Sequence, residues 1–572
     1  MKLALFSVSY AGLWGQAPRE RTGMRDANGR GTALREAAGI AALAIALMAP
    51  QLALRDLWGP DETRFAEVAR EMAARGDYLV PHLNGAIYAE KPPLHFWLAA
   101  ALRPLFGADA GRVVSLLAVL ASLGLVCRIG RRLYGRAEGL WAARIAATML
   151  LFAGLGCTGT LDSLLLTTIL AAVASGLAAL DGQRAWWLGA YAAAAAAVLT
   201  KGPIGLAISA LVLLACALAG RRRVRAGGWW HLAGALLMLA LVAAWLVPAC
   251  LKGGEAYARK ILLQQTLERI GGSAAIHGKP PHYYLLRWPM YLWPWSLLVP
   301  LAVVAALRAA WRGGAWRAAW PALWFLAVFV LLSCISGKGE RYFLPAVPAA
   351  ALACAHYLVS EKPFPKWHRG LLAATWLSTL ALGAFLVAVG LAPDAFVRAS
   401  ARKSEAAAAI FREVFTPAHA AGAVALGVGL AAASLLALVW LWRAKPVLWH
   451  GRLLVGVVVA LSLGFDFLAL PAINQVKSDR LAVAHFRPFL DQAGELYLLD
   501  TEFAGIFNLY LDRNSIPLLD TAEQAAGRLA APRRVAIALW KSHVEKVDPA
   551  GRYQVVPAGP YPARNLVLLL NW

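Results

Sequence analysis

Long apolar runs alternate with short polar ones along almost the whole of this 572-residue chain. Crossing a bilayer takes about 20 apolar residues, with some latitude. Runs of that kind fall near 36–54, 112–130, 138–157, 161–180, 186–200, 203–220, 229–251, 288–308, 319–336, 343–360, 370–392, 416–441 and 452–471, which predicts thirteen transmembrane helices. The apolar run 94–106 is short and follows a double proline, so it is expected to form a surface or re-entrant helix. The longest polar interruption in the first part is WGPDETRFAEVAREMAARGDYLVPHLNGAIYAEKPP, residues 58–93. Pro60-Asp61 starts a helix, Phe65, Val68, Ala69 and Met72 recur at i, i+3, i+4 and i+7, and Gly76-Asp77 ends it. Its polar remainder predicts an amphipathic helix on the bilayer surface. Glu90-Lys91 then stand before Pro92-Pro93, in backbone that the prolines keep extended.

From about residue 474 the pattern turns soluble. Segments 479–490, 503–511 and 522–529 read as helices, and 495–500, 516–520, 535–539 and 565–570 as strands. The expected fold is an all-α polytopic membrane protein followed by a small C-terminal α/β domain. Its parts are a basic lead-in, 1–35, a membrane domain, 36–471, with outer loops 55–111 and 252–287, and the tail domain, 472–572. Lys2 and the apolar residues after it imitate a signal sequence without a small-residue cleavage site, and Met24 is an equally sensible start.

Composition agrees, with 60% hydrophobic and 15% charged residues and a mean hydropathy of +0.57; a soluble domain is nearer half apolar and a quarter charged. The net charge of +24 raises nucleic acid as a partner, but the cations sit in short loops and no basic-aromatic module accompanies them, which excludes it. Clusters at Arg128–Arg136, Arg221–Arg225, Arg308–Arg317, Lys362–Arg369 and Arg443–Arg452 all fall on the side of the basic N-terminus, which the positive-inside rule makes cytoplasmic. Thirteen crossings then place the opening loop and the tail domain outside. The six cysteines lie in or beside apolar runs and never as CxxC, so neither a disulfide framework nor a zinc site is expected.

The same topology sorts the polar residues. Asp61, Glu62, Arg64, Glu90 and Lys91 lie in the opening loop; Asp162 begins a span; Lys201 sits in a TKGP break. Glu268, Arg269, His277 and Lys279 belong to the second outer loop, and Lys338, Glu340, Arg341 and Tyr342 to an SGKGERY turn. Ionisable groups are expensive beside lipid, so their common side predicts one shared outer cavity. Asp466, deep in LGFDFLALP, wants a partner that the sequence does not identify. No histidines show HExxH spacing, so no dedicated metal centre is expected, although Glu90 or His277 could hold a divalent ion. The tail has no glycine-rich phosphate loop, so a capping or acceptor-docking role is expected there rather than a nucleotide site.

WxPDExR followed by GD, PxLNG and EKPP resembles the first outer loop of the GT-C class of lipid-linked-sugar glycosyltransferases. The likeness is nearest to the aminoarabinose transferases that modify lipid A, and extends more broadly to the dolichyl-phosphate-mannose protein mannosyltransferase type. Ser336-Gly337-Lys338-Gly339-Glu340-Arg341-Tyr342, TKGP at Lys201, Glu268-Arg269 before Lys279-Pro280 and a reordered Thr160-Leu161-Asp162 continue it. The resemblance implies an inverting glycosyltransferase of the bacterial inner membrane, with a periplasmic active site and an undecaprenyl-phosphate-sugar donor. By the same resemblance Asp61 is the catalytic carboxylate. Lys91, Lys201, Arg269, Lys338 and Arg341 are the candidates for the donor phosphate, and Glu62, Arg64, Glu90, Asp162, Glu268 and Tyr342 line the pocket. No cofactor is required, though a divalent metal could take part. The leading acceptor is lipid A, receiving 4-amino-4-deoxy-L-arabinose; a protein hydroxyl or another envelope glycan, as in protein mannosylation, is the alternative. A transporter or flippase ranks third, since no inverted repeat relates the two halves.

Overall fold

A computed structural model describes residues 27–219, 228–264, 279–314, 316–360, 366–402, 405–443, 447–559 and 565–572. The membrane domain opens with helix α1 (Ala27–Leu54). A loop leads to α2 (Asp61–Arg75), which ends where Gly76 takes φ 66°. Strands β1 (His82–Leu83) and β2 (Ala86–Ile87) pair antiparallel. They meet through Asn84 at φ 55° and Gly85 at φ 80°, the left-handed pair that a two-residue hairpin turn demands.

Helix α3 (Leu94–Phe106) bends at Gly107 and packs back on α4 (Ala110–Leu133). The chain continues through α5 (Arg136–Ala147), α6 (Leu150–Leu155), α7 (Asp162–Leu180), α8 (Trp186–Lys201), α9 (Pro203–Ala219) and α10 (Trp229–Arg259). After it come α11 (Tyr283–Tyr291), α12 (Leu298–Gly313) and α13 (Trp316–Cys334). A 3-10 turn (Glu340–Ala346) feeds α14 (Val347–Ser360). The last helices before the tail domain begin with α15 (Lys366–Leu391), the short α16 (Pro393–Ala401) and α17 (Glu405–Val414), α18 (Pro417–Trp442) and α19 (Val447–Gly464). A π-turn (Phe465–Ala469) joins α19 to α20 (Leu470–Lys477).

Each of the thirteen apolar runs falls on helix, and among the described residues nine helices are long and apolar enough to span a membrane. The chain is a multi-pass membrane protein. The other four runs fold differently: 138–157 breaks between α5 and α6, 288–308 divides between α11 and α12, and α8 and α9 are shorter helices. Small residues let helices approach closely, as they do elsewhere in lipid: a Cβ at Gly383 of α15 would meet the Gly427 carbonyl of α18 at 2.7 Å.

The tail domain has α21 (Asp479–Leu490), β3 (Glu495–Leu498), α22 (Ala504–Leu511), α23 (Ala522–Leu529), β4 (Val535–Trp540), α24 (Val544–Val547), β5 (Gln554–Pro557) and β6 (Leu566–Leu570). Its sheet runs β3-β4-β6-β5, parallel at β3/β4 and antiparallel beyond. Leu498, Ala538 and Leu568 point to one face with Phe486, Phe503 and Phe507, while Ile537, Leu539 and Leu569 point to the other with Leu529. The segment 516–520 adds a single bridge, Leu498 to Leu518, instead of a full strand.

Helix α2 does not lie on a bilayer surface. Thr63, Glu67 and Glu71 on its polar face are buried as fully as Val68 and Met72 on its apolar one. It packs between α3 and α22, so the tail domain and the membrane domain enclose it from opposite sides.

Candidate active site

Two acids, Asp61 and Glu62, open α2, where the positive end of the helix dipole favours them. Asp61 Oδ1 accepts a hydrogen bond from Arg64 Nη2 at 2.5 Å, and its Oδ2 accepts one from Arg341 Nη1 at 2.7 Å. Burial by itself would push the Asp61 carboxyl up, but the Arg341 and Arg64 guanidiniums outweigh it and hold the group below the usual carboxylate range. Arg64 Nη1 also lies 3.8 Å from Glu90 Oε2. Glu90 accepts from Tyr88 OH at 3.3 Å and stands 3.9 Å from Lys91 Nζ. Beside this chain of charges Lys201 forms a buried ion pair with Asp162, and its Nζ stands 4.6 Å from the centre of the Tyr342 ring.

Asp61, Arg64, Glu90, Lys91 and Arg341 are thus brought together, with Asp162, Lys201 and Tyr342 adjoining through the Arg341-Tyr342 peptide. Glu62 has a different occupation: Oε1 accepts from Arg55 Nη2 at 2.5 Å and from Gly159 N at 2.6 Å, while Oε2 accepts from Trp58 N at 3.0 Å. A carboxylate so fully engaged is a strut between the loop before α2 and the turn before α7. Lys338 is buried with its Nζ on the Ile335 carbonyl, and burial lowers its pKa. Glu268, Arg269 and His277 lie outside the described residues. Lys279 N reaches Ser336 O at 3.2 Å and Tyr284 OH donates to Gly339 O at 2.9 Å, so the KPPHYY segment is stitched to the SGKGERY turn. Among the described residues no group of three or more His, Cys, Asp or Glu is placed to hold a metal ion.

A cavity of about 1300 Å³ adjoins these charges. One part is apolar, walled by Leu382 and Phe385 of α15, Phe411 of α17, Leu426 of α18 and Leu461 of α19. Another is polar, with Gln51, Arg55, Trp58, Glu62, Arg341 and Lys477. Phe503, Ile506, Trp540 and Leu566 of the tail domain also line it. Asp466 reaches the wall from the π-turn, and neither of its buried carboxyl oxygens makes a hydrogen bond.

Arg55, Lys477 and Asn474 went unrecognised in the sequence. Arg55 and Lys477 stand 4.5 and 5.3 Å from the centre of the Trp58 ring. Asn474 Oδ1 accepts from Asp56 N at 3.0 Å and Trp58 Nε1 at 3.1 Å, and its amide donates to Leu54 O at 2.7 Å. The signal available for them is position alone: Arg55 directly follows the first apolar run, and Asn474 and Lys477 stand within six residues of the end of the last.

Comparison with known proteins gives three kinds of likeness. The profile of the family described as dolichyl-phosphate-mannose-protein mannosyltransferase matches residues 90–247. The undecaprenyl phosphate-alpha-4-amino-4-deoxy-L-arabinose arabinosyl transferase of Shewanella sediminis (strain HAW-EB3) is 30% identical over 319 residues, 54% of this chain and 57% of the relative. The enzyme of the same name from Edwardsiella ictaluri (strain 93-146) is 32% identical over 324 residues, 53% and 56% of the two chains. The chain therefore spans a little over half the length of these relatives. A crystal structure of ArnT from Cupriavidus metallidurans bound to undecaprenyl phosphate superposes with a TM-score of 0.73 at 20% identity, covering 96% of this chain and 99% of that one. The protein has the GT-C fold of ArnT and resembles the glycosyltransferases of lipid-linked sugars, the aminoarabinose transferases among them.

Proposed function

We propose that the protein transfers a sugar of the 4-amino-4-deoxy-L-arabinose kind from undecaprenyl phosphate to a lipid A phosphate, on the periplasmic side of the inner membrane. The cavity supports the donor class: its apolar part suits a polyprenyl tail, and its polar part presents Arg55, Arg341 and Lys477 where the phosphate would enter. In the reaction an acceptor oxygen attacks the anomeric carbon from the face opposite the phosphate. The bond from that carbon to the phosphate oxygen breaks, and undecaprenyl phosphate departs with the electron pair, inverting the configuration. Arg341, with Lys91 and Lys201 close by, supplies positive charge to the departing phosphate, and each well-aimed donor is worth roughly 3 kcal/mol of barrier.

The observation that favours a phosphate acceptor is the clamp on Asp61. A carboxylate held below its ordinary range by two guanidiniums is a weak general base. A phosphate monoester, with a second pKa of about 6, needs no base near neutral pH. Asp61 then orients the acceptor and the arginines instead of removing a proton. The match of residues 90–247 to the protein mannosyltransferase profile favours a hydroxyl acceptor as the second reading.

Mass spectrometry of lipid A from cells with and without the gene tests the proposal. A gene-dependent pentosamine on a lipid A phosphate is expected, and an unchanged lipid A profile in cells that make the protein would transfer the case to the hydroxyl reading. Asp61→Asn separates the two chemistries. It should abolish hydroxyl transfer at every pH, and substantial residual transfer is expected for a phosphate acceptor.

A further inference from the structure

Helix α22 of the tail domain meets α2 at the turn that carries Asp61 and Arg64. The two backbones meet at Gly505, where a Cβ would stand 2.5 Å from Arg64 Cα and 2.9 Å from Arg64 N. Arg64 is the residue that holds Asp61 from one side and reaches Glu90 on the other. Further along α2, Arg70 binds Asp512 Oδ1 at 2.8 Å, Asn514 Oδ1 at 2.9 Å and the Arg513 carbonyl at 3.1 Å. Asn84 continues the seam, donating to Ile516 O at 2.9 Å and accepting from Ile516 N at 2.6 Å and Asn508 Nδ2 at 2.9 Å. On its other flank α22 faces the cavity through Ile506, next to Phe503.

We infer that the tail domain is a positioning element of the active site: α22, seated through Gly505, fixes the Asp61–Arg64 pair in register with Arg341. Asp61 is joined to Arg341 by one 2.7 Å contact between segments far apart in sequence, so the site depends on where α2 is held from behind. A methyl group at 505 would need the two helices to separate by about 1 Å, and a displacement of that size costs on the order of a hundredfold in rate when it misaligns reacting groups. Gly505 and Arg70 act through α2 and are positioning residues.

The turnover arm of the test rests on the transferase reading; the exchange arm does not. In Gly505→Ala, kcat per folded molecule should fall at least tenfold while the donor KM stays within about twofold. Gly527→Ala, at a site with nothing within 4 Å in the same domain, should match wild type. Arg70→Gln leaves a fold in which the buried Glu67 can go protonated, and it should lower kcat in the same direction. Amide hydrogen exchange over residues 61–66, measured on the full chain in detergent, should quicken at least tenfold in both Gly505→Ala and Arg70→Gln. A purely structural seam would reduce the yield of folded protein and leave kcat per folded molecule at the wild-type value, and that result overturns the inference, as does unchanged exchange. If Gly505→Ala fails to fold, Arg70→Gln decides alone. Wild type inert toward an undecaprenyl-phosphate sugar would sink the transferase reading, and the exchange arm would still decide this one.

Discussion

Lys201 and Asp162 show what a single pair of residues contributes to the site. Both side chains are 8% exposed and they pair with each other, so removing one strands the other in a low-dielectric interior, at a cost of about 3–5 kcal/mol. Lys201→Ala should therefore lower the thermal unfolding midpoint sharply, and adding Asp162→Ala should restore much of the loss without restoring activity. A double variant as unstable as the sum of the two single ones would show that the pair is not coupled. Asp61 makes a second case. With its folded pKa below the unfolded value, its pairing stabilises the fold at neutral pH and is lost only as pH falls through the lowered value. Activity should accordingly show no acid limb from Asp61 between about pH 5 and 8 in a pH–rate profile. Asp162 and Lys201 were legible in sequence as charges at the ends of apolar runs. Their partnership was not, because it is made between α7 and α8 in space. Glu62, expected from the sequence to line the pocket, makes the converse case: adjacency to Asp61 says nothing of the Gly159 and Trp58 amides that occupy its oxygens.

Helix α2 is the element where local pattern and final environment part company. Its start at Pro60-Asp61 and its end at Gly76 are as the sequence predicts, since proline and glycine act locally. Its placement is not, because Glu67, Arg70 and Glu71 read as a wet face until the tail domain, some 440 residues later in the chain, covers them. Burial then pushes the Glu67 carboxyl up to about 7, against the opposing pull of the Arg70 fork. A carboxyl whose folded pKa exceeds its unfolded one binds more protons when folded, so its contribution to stability falls as pH rises from about 4.5 to about 7 and is flat above. Glu67→Gln removes that dependence. The difference in unfolding midpoint between wild type and this variant should shift in the variant's favour from pH 5 to pH 8. A difference independent of pH would mean that Arg70 keeps Glu67 charged throughout. The tail domain was legible at the level of three of its helices and three of its strands, whereas the single turn of α24 and β5, whose burial alternates weakly at Gln554–Pro557, were not.

At the scale of the whole molecule, two independent arguments bear on which ends of the helices share a side. Charge pattern gathers the basic clusters opposite the acids and bases of the outer loops. Geometry reaches a matching division by a different route. Glu36 at the start of α1 pairs with Arg136 at 2.6 Å and also with Arg131, while Asp181 after α7 pairs with Arg132 at 2.8 Å and Arg317 at 3.1 Å. Those contacts tie two basic connections, the one between α4 and α5 and the one between α12 and α13, to one end of the bundle. At the other end Arg480 reaches Asp56 at 3.1 Å and Asn84 bonds to Ile516, so the opening loop and the tail domain meet. Reporter fusions at residue 572 and within the 76–80 turn should both report the periplasm, and fusions at 134 and 314 the cytoplasm. The possible failures differ in meaning. Opposite compartments for the opening loop and the tail would contradict the contacts of Arg70, Asn84 and Gly505, and no orientation of the bundle could reconcile them. Both in the cytoplasm would leave every one of those contacts intact and invert only the orientation inferred from charge, moving the proposed transfer to the inner face, where a lipid A acceptor would have to be met before export.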